Sequence, residues 1–180
     1  MVHYPQQMFP LAHFAGALVA ALVLERLTNV RFDYRWVIVG GMLPDLVDKL
    51  IGHGIFHGTV DDGRLMCHTM LAVVLMVAAA RYRPNWVTKG LAVGFSMHVV
   101  LDFMWNDPKC FFWPLYGLDF PISPSDPSMW IETLLTDPVV MTGELVGGAV
   151  LLAFAVKLDL FRNGNLKRFF TRGWTADGPL

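Results

Sequence analysis

His98 and Asp102 stand four residues apart in an apolar stretch, so a helix presents both on one face, one turn apart, as two ligands of one ion require. Asp45 and Asp48 are three apart and share a face if the chain is helical after Pro44, a residue suited to a first helical position. His13, His68 and Glu144 each add an imidazole or a carboxylate to a further apolar stretch. An ionisable side chain inside a membrane segment is costly unless it is paired, wetted or metal-bound, which makes each of these residues a functional candidate. Imidazole with carboxylate, and no thiolate, suits zinc first, with manganese or iron as alternatives, and these seven residues could hold one to three divalent ions. Arg64 lies one turn before His68, where a cation can stabilise negative charge developing on a phosphoryl group.

Plainer explanations compete residue by residue. A lone intramembrane histidine such as His13 is more often hydrogen-bonded between helices than metal-bound. Asp45 and Asp48 could cap a helix or pair with Lys49 or Arg64, His98 and Asp102 could satisfy each other, and Glu144 could pair with Arg64. His53 and His57 lie in a Gly-rich loop and are expected to be solvated. The joint arrangement is harder to dismiss than its parts.

Five apolar stretches must position these groups: Met8 to Leu27, Trp36 to Ile51, Leu65 to Ala80, Trp86 to Trp105 and Val139 to Val156. They predict an all-α, polytopic membrane bundle of about five helices. The first is long enough to cross roughly 30 Å of hydrocarbon and, without a basic leader or a cleavage site, is expected to be an anchor. Gly40, Gly41 and Pro44 should kink or break the second. The spacings Gly90/Gly94 and Gly143/Gly147 would let backbones approach closely.

Charge placement gives an independent check. With the N-terminus outside, eleven of the fourteen Lys and Arg residues fall on the cytoplasmic side, and only Lys49, Arg64 and Lys109 lie outside, as the positive-inside rule favours. All seven candidate ligands then sit near the external ends of their helices. Residues 1–162 form a helix-bundle domain with an external loop over 106–137, and residues 163–180 a basic cytoplasmic tail.

Composition agrees. Of the 180 residues 54% are hydrophobic and 16% charged, against roughly 25% charged in an ordinary soluble domain, and a soluble protein this small has too little interior for so much apolar surface. The bilayer is therefore the expected partner. A net charge of -1 gives no reason to expect nucleic acid. Cys67 and Cys110 form neither a zinc ribbon nor a disulfide framework, although one bridge between them stays open outside the cytoplasm. The sequence does not set the oligomeric state.

The run Gly41-Met42-Leu43-Pro44-Asp45-Leu46-Val47-Asp48, followed by Arg64-Leu65-Met66-Cys67-His68-Thr69, His98-Val99-Val100-Leu101-Asp102 and Trp113-Pro114, resembles the YdjM-like family of membrane-bound metal-dependent hydrolases. The resemblance extends from His13 to about Glu144. That family is distantly similar to zinc-dependent phospholipase C and the zinc-dependent single-strand nucleases, all-helical enzymes that hold a metal cluster with His and Asp. The resemblance implies His68, His98, Asp102 and one or both of Asp45 and Asp48 as ligands, with His13 and Glu144 completing the cluster. Cys67 stands where a Thr often precedes the histidine, and the additional His-rich run of the soluble phospholipases is missing.

The expected activity is metal-dependent hydrolysis of a phosphoester, such as a phospholipid or another lipid-linked phosphate, at the external membrane face. Asp45 or Asp48 would accept a proton and Arg64 would bind phosphate. Two other classes use the same polar layer: a divalent-metal transporter and a non-catalytic membrane subunit. The apolar inner halves of the segments argue against transport.

Overall fold

The computed structural model describes residues 8–54, 64–120 and 127–179. His57 lies outside them, as does the side chain of His53. Each of the five apolar stretches becomes a helix: α1 (Pro10–Thr28), α2 (Tyr34–Gly54), α3 (Met70–Tyr82), α4 (Trp86–Leu101) and α7 (Pro138–Lys157). Shorter helices α5 (Pro108–Phe111), α6 (Pro127–Thr136) and α8 (Asn165–Arg172) and a two-stranded hairpin, β1 (Trp174–Thr175) with β2 (Gly178–Pro179), complete the described elements.

Local chemistry sets the helix ends. Pro10 opens α1, where its missing N–H is not needed. Asn85 and Thr88 form a reciprocal capping box at the start of α4. Asp137 accepts from the N–H groups of Val139 and Val140 at the start of α7. Two boundaries depart from the hydropathy pattern. The third stretch does not become helical until Met70, because Met66–His68 forms a 3-10 turn and Thr69 caps the helix behind it. The fourth stops at Leu101, with Asp102 as its C-cap and Phe103 in the left-handed region at φ 49°.

The expected break in the second stretch does not occur. α2 runs through Pro44 as one helix of 21 residues, and its packing accounts for this. Gly94 of α4 lies so close to α2 that a Cβ on it would collide with the carbonyl of Val37 and the N–H of Gly41; Gly90 sits against Trp36 and Val37, Gly40 against the backbone of Leu91, and Gly41 opens toward Ala17 and His13 of α1. Backbone held against backbone compensates for the one intrahelical bond that proline removes. Gly147 of α7 plays the same part against Leu11 and Ala12 of α1, where an added Cβ would lie 2.7 Å from backbone atoms. Gly143, its partner in the sequence motif, faces the Met8 side chain instead.

Apolar side chains cover the outside of this bundle. α3 buries none of its residues although it is built from Leu, Val, Met and Ala, and α7 leaves Leu145, Val146, Leu152 and Val156 exposed. Such a surface is stable against lipid and not against water. By length and composition α1 and α7 can each cross a membrane, while α3 and α4, at 13 and 16 residues, are shorter apolar helices.

The interior is divided along the bundle. An apolar cluster of Ala17, Leu18, Ala21, Tyr34, Val37 and Phe154 fills its middle and one end, where Phe169 of α8 and Trp174 of β1 join it. The basic stretch expected as a tail therefore folds back onto the bundle. Asp33, fully buried, pairs with Arg35 at 2.8 Å, and Arg35 also donates to the carbonyl of Phe170 at 2.9 Å. Glu25, buried at the end of α1, accepts from the N–H of Phe32 at 2.9 Å and the hydroxyl of Tyr34 at 2.8 Å. This polar layer was not anticipated; it joins the α1–α2 turn to the C-terminal segment. The stretch read as an external loop, 106–137, contains α5 and α6, and its residues 121–126 lie outside the described ones.

Candidate metal centre

The other end of the bundle gathers the residues with metal-ligand chemistry. One atom each from Asp45, His68, His98 and Asp102 lies within 4.8 Å of the other three. Asp45 comes from the second half of α2, His68 from the turn before α3, and His98 and Asp102 from the last turn and C-cap of α4. Five of the six separations run from 3.2 to 3.8 Å, close to those between ligands of one ion. His68 Nε2 and His98 Nε2 are 3.2 Å apart. Asp45 Oδ1 is 3.5 Å from the first and 3.7 Å from the second. Asp102 Oδ2 is 3.6 and 3.8 Å from the same two nitrogens. A tetrahedron with metal bonds of about 2.0–2.2 Å has edges of about 3.3–3.6 Å.

What lies behind the imidazoles fixes how they face the centre. His98 Nδ1 is 2.8 Å from the carbonyl of Gly41; a carbonyl can only accept, so this nitrogen carries the proton. His68 Nδ1 donates in the same way to Asp48 Oδ2 at 2.8 Å. With both imidazoles neutral, each Nε2 carries a lone pair, and the two face each other and two carboxylate oxygens. Four acceptors turned toward one point repel unless positive charge sits among them, and Arg64 touches just one of them, Asp102 Oδ2. A proton links one pair at a time; a single cation contacts all four. Histidine held from behind by a carboxylate or a backbone carbonyl is also the usual arrangement of metal-binding imidazoles.

Asp48, expected as a ligand or base, takes a different position. Its carboxylate is fully buried on the far side of His68 and accepts from the backbone N–H of Leu65 at 2.7 Å and of Cys67 at 3.1 Å as well as from the imidazole. All three donors approach it from the turn that carries His68, and its bond to that ring is made at Nδ1, on the side away from the Nε2 atoms that meet at the centre. Its geometry is that of a positioning residue, and the same three bonds hold the turn that carries His68.

His13 is stacked on His98 with ring centroids 4.0 Å apart. Its Nε2 lies 3.2 Å from Asp102 Oδ1 and 3.1 Å from the carbonyl of Met8, so its N–H is shared between those two acceptors and is not turned into the centre. Arg64, expected at the substrate, is 1% exposed and lies 3.4 Å from Asp102 Oδ2. It balances the buried charge of Asp102 beside the centre. Glu144 departs furthest from expectation: it accepts from Ala12 N–H at 2.8 Å and Leu11 N–H at 3.3 Å, capping α1 from across the bundle. Its charge complements the helix N-terminus. Glu144→Ala is accordingly expected to lower stability by about 1 kcal/mol and to leave metal stoichiometry unchanged, as measured by chemical denaturation and elemental analysis of the same preparation.

Cys67 and Cys110 are not joined to each other. Cys110 is buried with Sγ directed at the carbonyls of Arg64 and Leu65. The bridge that the sequence left open is not formed.

Residues 8–164 match the profile of the YdjM inner membrane protein family. The chain belongs to that family. The matched range contains every residue of the YdjM centre described above, together with Glu144 and the helices that carry them. No significant match was found among curated proteins or among solved structures. As a YdjM protein it is placed at the inner membrane, in agreement with its apolar surface.

The functional groups that sequence reasoning missed are mainly backbone ones. The Gly41 carbonyl behind His98 and the Met8 N–H and carbonyl beside Asp102 and His13 leave no trace in residue type. The close α2–α4 contact signalled by Gly40, Gly41, Gly90 and Gly94 was the available pointer to the first of them.

Proposed function

We propose that the centre holds one divalent metal ion, zinc in the first instance, and that the protein is a membrane-bound metal-dependent hydrolase acting on a phosphoester, a phospholipid or another lipid-linked phosphate, at the extracytoplasmic face. The observation that carries this reading is the convergence of four acceptor atoms with both histidine Nδ1 positions already engaged behind them. An ion at such a site lowers the pKa of water toward neutrality and polarises a phosphoryl oxygen. The chain supplies orientation and proton transfer. Asp48 and the Gly41 carbonyl hold the imidazoles with Nε2 inward, and Arg64 with His13 holds Asp102 in its ionised form. Asp45 is the one ligand with appreciable exposure, 15%, and is the carboxylate placed to take a proton from an incoming water.

In this reading α1, α2, α3, α4 and α7 are the embedded helices, with the N-terminus outside and the C-terminus in the cytoplasm. Support comes from the distribution of Lys and Arg and from the lipid-like surface of α3 and α7. Transport is disfavoured by the buried apolar layer of Ala17, Leu18, Ala21 and Val37 between the centre and the opposite polar layer. A non-catalytic membrane subunit is the second reading, because four protein ligands is the number found in structural zinc sites.

Elemental analysis of detergent-purified protein without a polyhistidine tag, followed by assay against phosphodiesters and phospholipids, tests both. The hydrolase reading expects about one ion per chain and turnover that stops on chelation and returns with zinc. Loaded but inactive protein favours the second reading, and protein that binds no metal contradicts the centre itself.

A further inference from the structure

The cation at the open side of the centre is Lys49, a residue to which the sequence assigned only an ion pair. Its ammonium lies 2.8 Å from Asp45 Oδ2, with the lysine 33% exposed and the aspartate 15%. Asp45 thus divides its two oxygens: Oδ1 faces the imidazoles of His68 and His98, and Oδ2 faces outward to Lys49. The remaining three ligands are at most 3% exposed, so the side of Asp45 and Lys49 is the way in. Arg64 is 1% exposed and its guanidinium lies against Asp102 Oδ2, away from that way in.

The surroundings of Lys49 select the kind of anion. Leu46 and Leu50, one helical turn apart on one face of α2, are exposed at 58% and 64%, and Lys49 stands one turn after Leu46 at the edge of that face. An ammonium on a long apolar stem beside two exposed leucines near the end of a membrane helix is placed at the level of lipid headgroups, its stem in the hydrocarbon and its charge at the interface. A ligand matched to this surface carries an oxyanion for the lysine and acyl chains for the leucines. Resting on the hydrolase reading, we infer that Lys49 is the binding residue for the phosphate of a membrane lipid, which it receives by exchanging the outer oxygen of Asp45 for a phosphate oxygen. The exchange keeps the ammonium paired throughout and frees Asp45 beside the bound phosphate. Free phosphate satisfies the lysine and gains nothing from Leu46 and Leu50.

The test uses the dihexanoyl phosphonate analogue of phosphatidic acid, whose P–C bond is not hydrolysed, and inorganic phosphate, each titrated calorimetrically into detergent-solubilised full-length protein. Lys49→Ala is expected to weaken binding of the lipid analogue about tenfold, Lys49→Arg to restore most of it, and wild-type protein to bind inorganic phosphate more weakly than the lipid analogue. Metal content is expected to be equal in all three proteins. Unchanged affinity in Lys49→Ala overturns the inference, and so does loss of metal in step with affinity, which would make Lys49 only a support for Asp45. Inorganic phosphate binding as tightly as the lipid analogue overturns the lipid assignment. Because the analogue is not turned over, a protein that binds it through Lys49 but hydrolyses nothing refutes the hydrolase reading and leaves the binding site standing.

Discussion

Replacing His98 by Ala is expected to reduce bound metal from about one ion per chain to a trace, a loss of affinity of at least ~100-fold, and to abolish any hydrolysis that depends on it. His98 offers Nε2 to the centre while its Nδ1 is held by the Gly41 carbonyl at 2.8 Å, and no other described side chain reaches the position it leaves. Truncation also removes the ring stacked on His13, and a buried large-to-small change costs about 2–5 kcal/mol by itself. Folding and ligation are separated by a chelator: it should lower the thermal midpoint of wild-type protein, because an ion bound only to the native state stabilises it, and should leave the midpoint of His98→Ala where it is. A chelator effect of equal size in the two proteins would mean that His98 holds no metal.

The second large effect belongs to Asp48, which touches no candidate ligand atom of the centre. Asp48→Ala leaves two backbone N–H groups and the His68 Nδ1–H without their acceptor in a fully buried place. Removing one partner of a buried charged network costs about 3–5 kcal/mol, and loosening the imidazole should weaken metal binding about 10–100-fold. Asp48→Asn keeps the shape but turns an amide N–H toward one of the three donors, so it is expected to fold better than the alanine variant while still binding metal poorly. Full metal affinity in the asparagine variant would show that Asp48 does not orient His68.

These expectations rest on a layer that was legible in the sequence to a specific depth. Ionisable residues isolated in apolar stretches, alternating between the near and far ends of successive segments, were enough to bring Asp45, His68, His98 and Asp102 to one end of a helical bundle. Spacing was enough to place His98 and Asp102 on one face even though the helix stops between them. It was not enough to tell a ligand from the residue behind it. Asp45 and Asp48 are one helical turn apart and chemically identical; what separates them is a 3-10 turn at Met66–His68, whose N–H groups claim Asp48. Glu144 was assigned to the centre by its depth in the fifth stretch, yet the close contact at Gly147 brings α1 alongside α7 and its open N–H groups to the carboxylate first. Arg64 departs from expectation for a similar reason: burial is a property of the packed bundle, and in the sequence Arg64 and Lys49 look alike as isolated cations.

The fold shows the same limit. Hydropathy located all five long helices within a few residues, except where the chain leaves the helix to build the site, at Leu65–Thr69 and after Leu101. Pro44 pointed to a break because a proline deletes a backbone donor, and the glycine contact that tolerates it involves residues some fifty positions away in sequence. Glu25 and Asp33 were passed over because they stand beside arginines at the edges of apolar stretches, where charged residues are ordinarily solvated; only the returning C-terminal hairpin buries Asp33.

X-ray absorption at the zinc edge of purified, zinc-loaded protein tests the central claim most directly. The account predicts a shell of four light atoms, two imidazole nitrogens and two carboxylate oxygens, at about 2.0–2.2 Å, with imidazole multiple scattering that disappears with the metal in His98→Ala. A sulfur shell at about 2.3 Å, which would bring in Cys67 or Cys110, or an all-oxygen shell without imidazole, would contradict it.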